Sequence, residues 1–207
     1  MKKIVLSFAT LVLLATLAFT TGDPVAPLAI GSNMPLAELK MKDVSGKDIS
    51  IKNVVKANGV LVMFSCNTCP IVKKYESRII DISKFALENN FGVIILNPNE
   101  AYRDNGDSYT DMIEYAKTQG FNWNYVLDNK SEMADVFGAT RTPEVFLFDN
   151  VNNKSSLVYH GAIDDNQNGA DGVTRMHLHI AMKELMDGKE ISTKNTRSVG
   201  CTIKRLK

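Results

Sequence analysis

Hydrophobic residues in this chain follow two rhythms. Gly59-Val60-Leu61-Val62-Met63-Phe64-Ser65 and Phe91-Gly92-Val93-Ile94-Ile95-Leu96 are nearly unbroken apolar runs. Such runs predict strands covered on both faces of a sheet. Ile71, Val72, Tyr75, Ile79, Ile82 and Ala86 instead recur at helical spacing, which predicts a helix from Cys66 to about Asn89. Three more helices are predicted. Ser108 to Gly120 has Ser108 as its cap and Gly120 as its stop, Ser131 to Phe137 is closed by Gly138, and Val173 to Met186 is stopped by Gly188. Tyr125 to Asp128 reads as a short strand or turn. Glu144 to Phe148 and Leu157 to Gly161 read as a hairpin across Asn150-Val151-Asn152-Asn153. Leu36 to Asp43 and Asp48 to Ile51 read as an earlier hairpin around Ser45-Gly46-Lys47, and 97–107 and 164–172 as polar loops. The order β-α-β-α-β-β-α predicts an α/β domain with parallel inner strands and an antiparallel end.

The first residues break this pattern. Lys2 and Lys3 precede an apolar run from Ile4 to Phe19, and no acidic residue comes before Asp23. This is the pattern of a secretory signal peptide over 1–22, with Ala18, Thr20 and Gly22 in its cleavage zone. The competing reading is an uncleaved membrane anchor, although the run is short for a spanning helix. No cysteine near the cleavage zone is available to carry lipid. Residues 23–35 hold three prolines and read as an exposed linker to a domain over 36–207. The expected location is therefore periplasmic or secreted.

Composition is that of an ordinary globular domain, with 44% hydrophobic and 23% charged residues among 207. Loss of Lys2 and Lys3 would leave 22 basic against 23 acidic residues, moving net charge from +1 to −1. No strong field remains to draw nucleic acid or a membrane surface. The basic residues of the C-terminal tail read as solvated charges.

The chemistry lies in Cys66-Asn67-Thr68-Cys69, where a predicted strand meets a predicted helix. Residues i and i+3 approach each other in a first helical turn, and the helix dipole favours a thiolate there. One sulfur can attack while the other resolves the mixed disulfide. Cys201 is the third cysteine, so one thiol is left over for any intramolecular pairing. A zinc half-site is the competing reading of the pair. It would need further ligands at close spacing, and His177 and His179 are two apart on a predicted helix while His160 lies on a strand. No metal or cofactor is expected.

The chain resembles the thioredoxin-like superfamily over residues 36 to 190. The resemblance rests on strand-Cys-x-x-Cys-helix at 60–87, on Ala139-Thr140-Arg141-Thr142-Pro143-Glu144 before a strand, and on the hairpin and helix that follow. It implies a thioredoxin-like α/β fold: a central mixed β-sheet flanked by helices, here with an N-terminal hairpin extension and a C-terminal tail. It also implies a cis bond before Pro143, with Thr142 and Pro143 forming a substrate-binding edge opposite the dithiol. Proline offers no amide donor, and the backbone before it can pair with a substrate strand. An ordinary loop proline is the competing reading.

Within the superfamily, the chain is similar to the exported alkyl hydroperoxide reductase/peroxiredoxin-like branch. Cys69-Pro70 matches the Cys-Pro of a peroxide-reacting cysteine. Position 66, where that pattern has Thr, is Cys, and Val62 stands where it has Pro. The resemblance therefore implies two assignments. By thioredoxin logic Cys66, at the helix N-cap and more exposed, attacks and Cys69 resolves. By peroxiredoxin logic Cys69 attacks peroxide, and Cys66 or Cys201 resolves. Arg141 is either a support for Cys69 or a peroxide anion, or a surface charge. The Gly200-Cys201-Thr202-Ile203-Lys204 tail is similar to one in this branch. Cys201 is either a third redox thiol docking near Cys66 or a buried cysteine anchoring the tail. Asp164, with Asp165, is either a proton acceptor near the dithiol or a turn cap.

These readings lead to an exported thiol-disulfide oxidoreductase that reduces protein disulfides. Thr142 before the proline resembles the reducing members more than the oxidising ones. Its partners would be a protein disulfide substrate and an electron-donor thiol protein. The alternatives are a peroxidase using Cys69 and a thioredoxin-fold binding module.

Overall fold

The computed structural model describes residues 26–206, so the expected signal peptide lies outside the described residues. Among the described residues, a small hairpin of β1 (Met41–Lys42) and β2 (Asp48–Ile49) comes first, followed by α1 (Ile51–Val54). Then come β3 (Gly59–Phe64), α2 (Pro70–Glu88), β4 (Phe91–Asn97), α3 (Tyr109–Gln119), β5 (Asn124–Leu127) and α4 (Glu132–Phe137). The last part holds β6 (Arg141–Thr142), β7 (Glu144–Phe148), β8 (Leu157–Gly161), α5 (His177–Met186) and β9 (Cys201–Thr202).

Five strands form the central sheet in the order β5-β4-β3-β7-β8. β3, β4 and β5 are parallel, and β7 and β8 run antiparallel to them. Side chains alternate across a strand, so each apolar run feeds two cores. Leu61, Met63, Val93, Ile95 and Val145 meet Val72, Tyr75 and Ile79 of α2 and Leu178 and Met182 of α5. Val60, Val62, Phe64, Ile94 and Phe146 meet Met133 and Phe137 of α4 and Ile51 of α1 on the other face. Each fully buried Leu, Ile or Phe adds about 1.5–3 kcal/mol. That is the physical content of the doubly apolar strands read from the sequence.

Three expectations are corrected. The long helix starts at Pro70 rather than Cys66. Proline suits the first helical position but pushes the residue before it out of helical geometry, and Cys69 is extended at φ −74° and ψ 120°. The last helix starts at His177 rather than Val173. The Thr174 amide and hydroxyl both donate to the Asp165 carboxylate, holding that stretch as a loop. Finally, the described part of the expected linker is docked on the domain. Leu28, Ile30 and Met34 pack on the second core, and Leu28, Gly31 and Met34 donate amides to Phe137, Leu157 and Ser155. Apolar residues between the prolines outweigh their turn character.

The C-terminal tail runs first beside β8, with the His160 amide donating to Lys194 and the Thr196 amide to His160. It then pairs with β6 as β9, antiparallel, with Thr142 opposite Cys201 and Arg141 opposite Thr202.

Candidate functional site

The site forms where β3 ends and α2 begins. The Ser65 amide still pairs with the Leu96 carbonyl, so Cys66 leaves the sheet fully buried, at 0% exposure. Cys69 is 3% exposed and occupies the N-cap of α2. The sulfur at the helix start is therefore Cys69, not Cys66, and Cys66 is not the more exposed of the two. Cys69 is bonded to Cys201, with their Cα atoms 5.9 Å apart, and Cys66 is a free buried thiol. Cys201 thus docks on Cys69 rather than Cys66.

The segment before Pro143 closes over both cysteines. The Thr142–Pro143 bond is cis, as the resemblance implied. The Thr142 hydroxyl lies 3.4 Å from Cys66 Sγ and its carbonyl oxygen 3.4 Å from Cys69 Sγ. This segment is held from behind by Glu144. One oxygen of its buried carboxylate accepts the Thr140 and Arg141 amides at 2.8 and 2.9 Å, and the other meets His160 Nε2 at 2.7 Å.

A second buried carboxylate organises the loop between the cysteines. Asp107 accepts the Asn67 amide at 2.8 Å, the Thr68 hydroxyl at 2.7 Å, and the side-chain amides of Asn97 and Asn99 at 2.9 and 3.0 Å. Arg103 donates to the Asp107 carbonyl at 2.9 Å and the Asn97 carbonyl at 2.9 Å. No motif in the sequence marks Asp107 or Glu144 as a site residue. The available signal for Asp107 was a cluster of Asn97, Asn99, Arg103 and Asp107 directly after a buried strand.

Burial pushes the Cys66 thiol above the ordinary cysteine range, and the Asp107 charge adds to the effect. The Thr142 hydroxyl and the Cys69 and Thr68 amides work the other way but do not prevail. Cys66 therefore holds its proton at neutral pH. A reduced Cys69 would instead face the positive end of a 19-residue helix, where negative charge is favoured.

The other candidates sit outside this core. The exposed Arg141 guanidinium donates to Thr202 Oγ1 at 3.0 Å and the Gly200 carbonyl at 3.4 Å, so it holds the tail rather than a cysteine. Asp164 is engaged by Arg78, through contacts of 2.7 and 2.6 Å, and caps the Asn166 amide at 2.9 Å, so it serves a turn. Among the described residues, no group of three or more His, Cys, Asp or Glu comes together to hold a metal ion. No helix among them is long and apolar enough to cross a membrane.

The site thus brings a buried thiol and a disulfide to the same backbone segment. A thiol–disulfide relay needs that proximity. Comparisons with known proteins agree with the fold. A model of the AhpC/TSA family matches residues 30–154. An uncharacterized protein from Geobacillus kaustophilus is similar in structure at 26% identity and a TM-score of 0.78, covering 86% of this chain and 93% of its own. A hypothetical protein from Sinorhizobium meliloti 1021 has 25% identity and a TM-score of 0.78, covering 87% and 97%. A thiol-disulfide oxidoreductase from Bacteroides fragilis shares the fold at 14% identity and a TM-score of 0.51, covering 62% and 89%. No curated protein sequence matches the chain.

Proposed function

The chain belongs to the AhpC/TSA family, and from that premise we propose that it is an exported thiol-disulfide oxidoreductase with Cys69 as its exchanging sulfur. One observation carries this reading: Cys69 is disulfide-bonded to a strand that lies antiparallel on Thr142. A mixed disulfide between this fold and a substrate strand would have the same form, here made within one chain. Thr142 and Pro143 are the substrate-binding edge. The buried Cys66 thiol is the resolver. After losing its proton, its sulfur attacks Cys69 Sγ, forming a Cys66–Cys69 bond and breaking the one to Cys201. Cys201 leaves as a thiolate and takes up a proton. In the reducing direction, a reduced Cys69 attacks a protein disulfide, Cys66 resolves the mixed disulfide, and the substrate gains two electrons. An electron-donor thiol protein then restores the dithiol.

Export is supported by the Lys2-Lys3 and Ile4 to Phe19 pattern and by a disulfide that suits an oxidising compartment. The resemblance favours reduction of substrates through Thr142. The peroxidase reading is favoured by Cys69-Pro70 at the helix start and by Cys201 as a bonded partner. In that route Cys69 thiolate takes an oxygen from peroxide and releases an alcohol or water. Cys201 then condenses with the sulfenic acid and expels water. The hydrogen bonds of Arg141 to the tail weigh against it.

Single serine variants test these readings, with insulin disulfide reduction and peroxide consumption measured in parallel. Cys69→Ser should abolish disulfide reduction, and Cys66→Ser should trap mixed disulfides on Cys69. Peroxide turnover that survives Cys66→Ser and disappears with Cys201→Ser, without disulfide reduction, would replace this reading by the peroxidase. Full partner capture by a Cys66→Ser/Cys69→Ser double variant would replace it by a binding module.

A further inference from the structure

The tail that occupies the substrate edge is held along its length, and the contacts differ in kind. Some are blind to sequence. Thr142 pairs with Cys201 and Arg141 with Thr202, the Ile203 amide donates to the Thr140 carbonyl at 3.1 Å, and the Lys204 carbonyl accepts the Ala101 amide at 2.8 Å. The Lys204 amide donates to Asn99 Oδ1 at 3.0 Å. Any extended segment can make these bonds.

Thr202 adds an exposed hydroxyl contact to Arg141 at 3.0 Å, and two other positions select among side chains more strongly. A Cβ on Gly200 would lie 2.1 Å from the Thr142 carbonyl oxygen and 2.7 Å from its carbon. Both are backbone atoms of a segment that Glu144 holds in place, so they cannot turn aside as a flexible side chain could. Ile203 is 4% exposed and belongs to the same core as Phe64, Phe137 and Ala139. The edge therefore excludes a side chain immediately before the cysteine and takes an aliphatic one two residues after it.

From these contacts we infer that the Thr142 edge recognises extended protein segments reading Gly-Cys-x-aliphatic, and that Gly200 to Ile203 is a resident copy which an outside partner must displace. The inference rests on the oxidoreductase reading above and gives that enzyme its substrate class. It also divides the labour of the remaining cysteines. A bound partner strand and β9 need the same edge, so Cys201 is displaced while a partner is attached and resolution falls to Cys66. The exchange is balanced. Cys69 thiolate attacks the partner's cysteine in its disulfide, that S–S bond breaks, and the departing thiolate takes up a proton. Cys66 then attacks Cys69, and the partner leaves with its own cysteine reduced.

The test uses the reduced full-length Cys201→Ser chain and peptides whose single cysteine carries a thionitrobenzoate disulfide. Release of the coloured thiol reports the attack by Cys69. A Gly-Cys-Thr-Ile peptide should react about ten-fold or more faster than Ala-Cys-Thr-Ile, as expected for overpacking against backbone. It should exceed Gly-Cys-Thr-Asp by about the same factor, as expected for a desolvated charge. All three should react alike with free glutathione. The same order should hold for the reduced wild-type chain, at lower rates because its own tail competes. Equal rates for the three peptides, alongside rapid reaction with a small aromatic disulfide, would overturn the sequence preference and leave the oxidoreductase reading intact. No reaction with the peptides or the small disulfide would overturn both.

Discussion

Cys69 and Cys201 are joined across 132 residues of chain, and the bond ties the N-cap of α2 to β9. A cross-link that closes so long a loop removes much entropy from the unfolded chain. The chain-entropy model gives about 5 kcal/mol as an upper value, and about 2–4 kcal/mol is typical. Oxidised wild-type protein should accordingly unfold at a higher urea midpoint than the same protein in excess reductant, by a free energy in that range. Coincident midpoints would mean that the bond does not constrain the unfolded chain.

Cys66 is the only free cysteine when Cys69 and Cys201 are bonded. Burial and the Asp107 charge raise its thiol above the ordinary range, which centres near pH 8.5. Its thiolate, and with it resolution, should therefore appear only as pH rises beyond that range. The thiolate absorbance of the oxidised protein, taken as the difference from Cys66→Ser and followed against pH, should have its midpoint above the value for free cysteine. Asp107→Asn removes the nearby negative charge while keeping the side-chain shape, and should move the midpoint down. A midpoint at or below that of free cysteine would contradict the assignment of Cys66 as the protonated resolver.

The central sheet was legible because Val60 to Phe64 and Phe91 to Leu96 are apolar at every position that a doubly covered strand buries. Ser108 and Gly120 marked α3 for a similarly local reason: the serine caps the Asp111 amide and the glycine takes the left-handed turn. The site was half legible. Two cysteines beside Thr142-Pro143 could be read from spacing and resemblance, and they do meet. Which sulfur stands at the helix start depended on Pro70, whose effect on Cys69 outweighs the helical spacing of the residues after it. The pairing of Cys69 with a residue 132 positions away was beyond local pattern. Asp107 and Glu144 went unread for a like reason, since each gains its meaning from backbone amides brought to it by the fold.

Arg141 separates two chemistries. Its guanidinium is exposed and bonded to Gly200 and Thr202, so its removal should loosen the tail without touching the reacting sulfurs. Arg141→Ala should leave the rate of Cys69 attack on a small disulfide within about five-fold of wild type, because exposed polar contacts are worth about 1 kcal/mol or less. A loss of peroxide turnover that spares disulfide exchange would instead assign Arg141 to a peroxide site.

Ile203 anchors the strand that carries Cys201. It is buried against Phe64, Phe137 and Ala139, and its amide is bonded to Thr140. An aspartate at this position would have to leave water for an apolar pocket, which costs several kcal/mol. Releasing residues 200–206 avoids that cost at the expense of a few backbone bonds, while the two cores of the domain keep their other contacts. Ile203→Asp should then lower the effective concentration of Cys201 at Cys69. In glutathione buffers the ratio of squared reduced to oxidised glutathione at which the Cys69–Cys201 bond is half-reduced should fall about ten-fold or more from wild type, corresponding to about 1.4 kcal/mol. A thermal midpoint within a few degrees of the reduced wild-type protein would confirm that only the tail has moved. An unchanged half-reduction ratio would mean that the bond, and not the Ile203 pocket, holds β9 on the Thr142 edge.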